Sequence, residues 1–249
     1  MNKFQPILQN LLKMKVSWLY LFFGLFPLIL FIVAFFNTNF MQISGEKNSL
    51  SFIEFFSSVF VIQNNAVIPL IILTYIIGLK FYSEKEKGQL YFYKDISRND
   101  IFNSKLLSLI TLYIMFVIVL FLSSLFLYYF HITSMDLASN EFWPKTKADL
   151  QYVLIEFFGV LFLQIICIYL AVLLSINLPN GYTILGVLAF FIVSSIAPFL
   201  KSLKYIFPNG YQEKLNNQNF SSVFFIITII FIIYLSLIHI SEPTRPRLI

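Results

Sequence analysis

KFYSEKEKGQLYFYKDISRNDIFNSK, residues 80–105, gathers ten charged side chains between two long uncharged runs. Lys80, Lys85, Lys87, Lys94, Arg98 and Lys105 stand beside Glu84, Glu86, Asp95 and Asp100, while residues 55–79 and 106–135 carry no Lys, Arg, Asp or Glu. A charge at the centre of a bilayer costs about 2.5–3.5 kcal/mol on insertion scales. Ten of them belong in water, so the flanking runs read as two membrane spans joined by a wet segment.

The composition agrees with that reading. The 249-residue chain is 59% hydrophobic and 12% charged, with mean hydropathy +0.82. Soluble domains average about 45–50% apolar and about 25% charged residues, so the excess calls for lipid. The net charge of +5 does not suggest nucleic acid, because the basic residues flank apolar runs instead of forming one face. The single cysteine, Cys167, allows no intrachain disulfide.

Working outward from the charged segment, the expected fold is an all-α membrane protein. It has six transmembrane helices and an amphipathic N-terminal interfacial helix. Residues 1–16 form the interfacial part. Phe4, Ile7, Leu8, Leu11 and Leu12 share one helical face, opposite Gln5, Gln9, Asn10 and Lys13. The transmembrane part is residues 17–238, with spans at about 17–36, 56–79, 106–130, 151–174, 182–200 and 223–237. About 20 residues cross ~30 Å of hydrocarbon. The first run is too long for a signal peptide, and no small-residue cleavage site follows it. The uncharged stretch 157–200 is long enough for two spans, and Pro179, Asn180 and Gly181 divide it.

With the N-terminus inside, nine Lys and Arg lie on the inner side and six on the outer side, which places the N-terminus and the charged segment in the cytoplasm. The ending IHISEPTRPRLI resembles a translated sequencing-adapter read, so residues 239–249 are expected to be an artefactual tail outside the fold.

Motifs for catalysis are not evident. There is no G-x-x-x-x-G-K-[ST], no H-E-x-x-H, no Cys/His cluster and no G-x-S-x-G. The expectation is a protein with no catalytic residues and no metal site of its own. Polar groups inside the spans are few. Gln63, Asn64, Asn65 and Gln164 are candidates either for a pathway or for hydrogen bonds between helices. Glu156 is the one acid within a span, either a substrate or proton site or a side chain reaching the interface.

Glu84-x-Glu86-x-Gly88, followed by Ile96-Ser97-Arg98 and then Lys105, resembles the cytoplasmic loop of ABC-2 type transporter permeases. In that family an E-x-E-x-G stretch, a hydrophobic segment, P-[IV]-S-R and a Lys separate the second and third spans. Here Asp95 stands where the family commonly has Pro. The resemblance implies the membrane subunit of an exporter in the plasma membrane of a bacterium. Its partners would be a cytoplasmic ABC ATPase, which binds the ATP and Mg, and a second permease copy or a related permease. Glu84, Glu86, Gly88, Ile96, Ser97, Arg98 and Lys105 would couple the ATPase to the spans. The exported substrate would be hydrophobic or amphipathic: a peptide antibiotic, a drug or a lipid-like molecule. The competing expectations are an integral-membrane enzyme on lipid-like substrates and a non-catalytic membrane scaffold or immunity protein.

Overall fold

The computed structural model describes residues 4–35, 48–88 and 98–240. The architecture is all-α, with no strands among the described residues. Among the described residues five helices are long and apolar enough to cross a membrane, in agreement with a membrane protein. A main core of buried Leu, Ile, Val, Phe and Tyr is joined by a second cluster of Ile155, Tyr211, Val223 and Ile227.

Helix α1 (Phe4–Leu12) buries Leu11 and half-buries Leu8 and Leu12, leaving Gln5, Gln9 and Asn10 exposed. The apolar face expected for a membrane surface packs largely on another helix, α7 (Arg98–Phe130). The buried Ser17 hydroxyl donates to the Leu11 carbonyl at 2.7 Å and fixes the turn into α2 (Lys15–Phe22).

The first apolar run, 17–36, is helical but interrupted. A 3-10 turn at Phe23–Leu25 separates α2 from α3 (Pro27–Phe35). Pro27 has no N–H, so the Phe23 carbonyl four residues earlier loses its α-helical donor. The Phe26 N–H reaches that carbonyl instead, at 3.2 Å, in the tighter 3-10 manner.

The second run is also broken. Helix α4 (Phe52–Asn65) starts at a capping box in which the Ser51 N–H donates to Glu54 Oε2 at 2.8 Å and the Glu54 N–H donates to Ser51 Oγ. It stops at Ala66, whose ψ of 120° is extended, and α5 (Val67–Gly78) follows. Pro69 explains the position of the stop. It offers no N–H to the Asn65 carbonyl, and its ring crowds that same group. Beyond α5 the chain makes a π turn at Leu79–Ser83 and a last turn, α6 (Glu84–Glu86).

Helix α7 begins at Arg98, eight residues before the expected start of the third span. Asp100, Ile101 and Phe102 therefore belong to its first turns, because no Pro or Gly after Arg98 interrupts the helix. Helix α8 (Lys147–Ser175) is capped by Thr146, whose hydroxyl oxygen accepts from the Asp149 N–H at 3.1 Å. It is the central helix, packing on α4, α5, α9 (Asn180–Ile196) and α10 (Phe220–Ile240). Helix α10 buries Val223 and Ile227 beside Ile155 of α8 and Tyr211.

The two ends of the bundle differ. At one end the entry to α4 is strapped to the loop after α7. Backbone bonds run from Asn48 N–H to the Asp136 carbonyl at 2.9 Å and from Phe52 N–H to the Glu141 carbonyl at 3.0 Å. Asn48 and Asn140 adopt positive φ of 56° and 60°, which Asn tolerates in turns. The opposite end carries Lys80, Glu84 and Lys105 and the turn between α8 and α9.

Candidate functional site

At the charged end, three ionic side chains meet where α5 gives way to α6 and where α7 begins. Lys105 is 4% exposed and Lys80 is 8% exposed. A buried charge is tolerated only when it is paired and hydrogen-bonded. Here Glu84 serves both lysines. Its Oε2 accepts from Lys105 Nζ at 2.7 Å and its Oε1 accepts from Lys80 Nζ at 3.3 Å. The Lys105 ammonium also donates to the Lys80 backbone carbonyl at 2.8 Å. That carbonyl lies in the π turn, the kind of helix irregularity where a side chain can insert into the backbone ladder. Lys105 Nζ further sits 5.3 Å from the Phe81 ring centroid, and Phe81 packs edge-on against Phe102.

Glu84 and Lys105 lie 21 residues apart, so their contact is a clasp across the base of the charged segment. It ties the exit of α5 to the second turn of α7. Gly88 ends the helical part with φ of 67°, a left-handed conformation that suits glycine. The Gly88 N–H donates to the Lys85 carbonyl at 3.0 Å. Glu86 is exposed and accepts from the Tyr82 hydroxyl at 3.1 Å. Arg98 opens α7. Ile96 and Ser97 lie outside the described residues.

Two contacts fasten this end to the α8–α9 turn. Lys85 Nζ donates to the Ile176 carbonyl at 3.0 Å, at the C-terminal end of α8, where carbonyls lack helical donors and a cation is favoured. A Cβ on Gly78 would lie 2.2 Å from Asn180 Oδ1, so α5 passes close against the Asn180 side chain at the start of α9. The i,i+4 spacing of Lys80 and Glu84 was readable from the sequence. Lys85, Gly78 and Asn180 had no local signal, because their partners are distant in the chain.

The amides of the apolar helices have defined roles. Gln63 Nε2 donates to the Phe23 carbonyl, the one freed by Pro27, at 2.9 Å. Gln164 Nε2 donates to the Asn64 carbonyl at 3.1 Å, at the end of α4 where the last carbonyls need outside donors. The Asn64 amide donates to the Phe60 carbonyl at 2.8 Å, and its oxygen accepts from the Tyr113 hydroxyl at 3.3 Å. These three amides serve helix breaks and helix contacts. Asn65 differs: its side chain is exposed on the outside of this chain. Glu156 is half-buried on the α8 face against α4, where its Oε2 accepts from the Ser57 hydroxyl at 3.2 Å.

No group of three His, Cys, Asp or Glu that could hold a metal ion occurs among the described residues. No family model, curated protein or solved structure matches the chain.

Proposed function

We propose that this chain is the membrane-spanning permease subunit of an ATP-binding cassette exporter, with six spans, α1 at the membrane surface and the charged end in the cytoplasm. A separate ATPase binds ATP and Mg, docks on the segment 82–105 and drives efflux of a hydrophobic or amphipathic substrate. The observation that carries this reading is the Glu84 clasp. A partner pulling on the segment between Glu84 and Lys105 moves the ends of α5 and α7 as a unit. Through Lys85 and Asn180 the same pull reaches the α8–α9 turn. Nucleotide then biases the spans only if the ATPase binds their two arrangements with different affinity.

A second observation supports a partner within the membrane. With the second span at about 56–79, Asn65 and the break at Ala66 would lie roughly 14–15 Å from its start at 1.5 Å per residue, inside the hydrocarbon. Non-helical backbone and an exposed amide at that depth require protein or a water-filled cavity beside them. In the exporter reading, that neighbour is the cavity shared with the second permease. Asn65→Cys in native membranes is therefore expected to react with a water-soluble maleimide. Ile232→Cys, on the exposed face of α10, is expected to stay unlabelled. Equal labelling of the two, or none at position 65, counts against a wet cavity.

The direct test of the exporter reading is purification of the tagged chain from its native membranes in mild detergent. A stoichiometric ABC ATPase, lost when the charged segment is altered by Arg98→Glu, is the expected result. Recovery of the chain without an ATPase under conditions that preserve other transporter complexes refutes it. The orientation is checked separately with Gln89→Cys, which should react with an impermeant reagent only after the cells are opened. Labelling in intact cells would place the segment outside and end the proposal.

A further inference from the structure

The loop between α9 and α10 folds back into the bundle. A Cβ on Gly159 would lie 2.8 Å from the Pro208 carbonyl oxygen, and Asn209 Nδ2 donates to the Ser194 carbonyl at 2.9 Å. Phe207 and Tyr211 are buried, and the Tyr211 hydroxyl donates to the Tyr205 carbonyl at 2.6 Å. This anchoring leaves a cleft of ≈ 450 Å³ in the outer part of the loop, lined by Tyr205, Glu213, Lys214, Asn216, Asn217 and Gln218.

The cleft's charges are unevenly matched. Glu213, its only acid, is engaged by Lys204, and that hydrogen bond raises the Lys204 ammonium above the usual lysine range. Lys214 Nζ lies 4.0 Å from the Tyr205 ring centroid and 4.9 Å from that of Tyr211. Ring faces position an ammonium without neutralising it. Among the described residues no carboxylate or hydrogen-bond acceptor is paired with Lys214 Nζ. Three carboxamides, from Asn216, Asn217 and Gln218, supply further N–H donors. Phe199, Leu200 and Ile206 are exposed apolar residues of the same loop and the helix end before it.

We infer that this cleft binds the phosphate headgroup of an anionic amphiphile, with Lys214 as the charge partner, the carboxamides as hydrogen-bond donors and the exposed apolar residues beside its tails. A cleft of this volume falls in the range that holds small ligands. A compact ammonium binds phosphate as a point charge, and the exposed Phe199, Leu200 and Ile206 in the same stretch of chain favour a lipid over a free solute. The inference does not depend on the exporter reading, because it needs only the loop and a membrane surface.

The test uses the full chain in mild detergent, titrated with short-chain phosphatidylglycerol or phosphatidylcholine and followed by native mass spectrometry. Phosphatidylglycerol is expected to be retained selectively. Lys214→Gln should weaken its retention about tenfold by removing a charge-assisted bond, whereas Lys214→Arg should largely preserve it. Lys201→Gln, in the same loop but outside the cleft lining, controls for general surface charge and should change little. Glycerol phosphate competing as well as the lipid would keep the phosphate site but assign it to a soluble ligand. Equal retention by the parent chain and Lys214→Gln, with unchanged helicity, overturns the inference.

Discussion

Glu84→Ala is expected to destabilise the chain by about 3–5 kcal/mol, because removing one partner of a buried ion pair strands the others. Here two ammonium groups lose their shared carboxylate at once, Lys105 at 2.7 Å and Lys80 at 3.3 Å. The Lys80 carbonyl and the Phe81 ring remain beside the Lys105 ammonium. The measurement is thermal unfolding of the detergent-solubilised chain. Glu84→Gln should cost less, since it keeps the volume and one acceptor oxygen. Combining Glu84→Ala with Lys105→Met should lose less than the sum of the two single changes, as expected for groups in direct contact. An additive result would mean that the clasp contributes nothing. In the exporter reading the same variants, where they still insert, should also lose ATP-driven transport.

Gly159→Val is expected to have the second-largest effect, and at the other end of the molecule. The obstacle there is backbone, the Pro208 carbonyl oxygen at 2.8 Å from a Cβ, and it cannot swing aside as a side chain could. Overpacking of this kind costs about 1–3 kcal/mol where the surroundings yield. The yielding part is the loop, so residues 205–214 should leave their seat while α8 remains helical. Hydrogen exchange should then rise in that loop far more than in α4 or α7. The Lys214 cleft would be lost with it, since Tyr205 and Tyr211 are held by the same fold-back. Uniform protection across the chain would show that the loop is not seated on α8. Gly78→Val should be milder, because the atom it meets is the end of the Asn180 side chain.

Much of the helix layout can be traced to local sequence. Uncharged runs mark the apolar helices, and the Ser51–Glu54 box starts α4. Pro27 and Pro69 account for the interruptions in the first two runs. The alternation that puts Leu11 against Gln9 and Asn10 marks the buried face of α1. Position 88 needed a residue able to take positive φ, and glycine stands there. The early start of α7 was less visible, because the charged stretch suggested a loop although it holds no helix breaker after Arg98.

Which faces of the long helices meet each other was not legible. Leu112 is fully buried while Ile114, two residues on, is 50% exposed, yet both are equally apolar. In a soluble helix the polar face would have marked the outside. In lipid both faces are apolar, so the amphipathic signal that orients a helix disappears. The hydrophobic run and its breakers determined that helices form, and where they stop. Only the packed structure decided that Glu84 joins Lys80 to Lys105, that Lys85 reaches the end of α8 and that Pro208 rests on Gly159. Those contacts depend on distance in space between residues far apart in the chain, which local hydrophobicity does not encode.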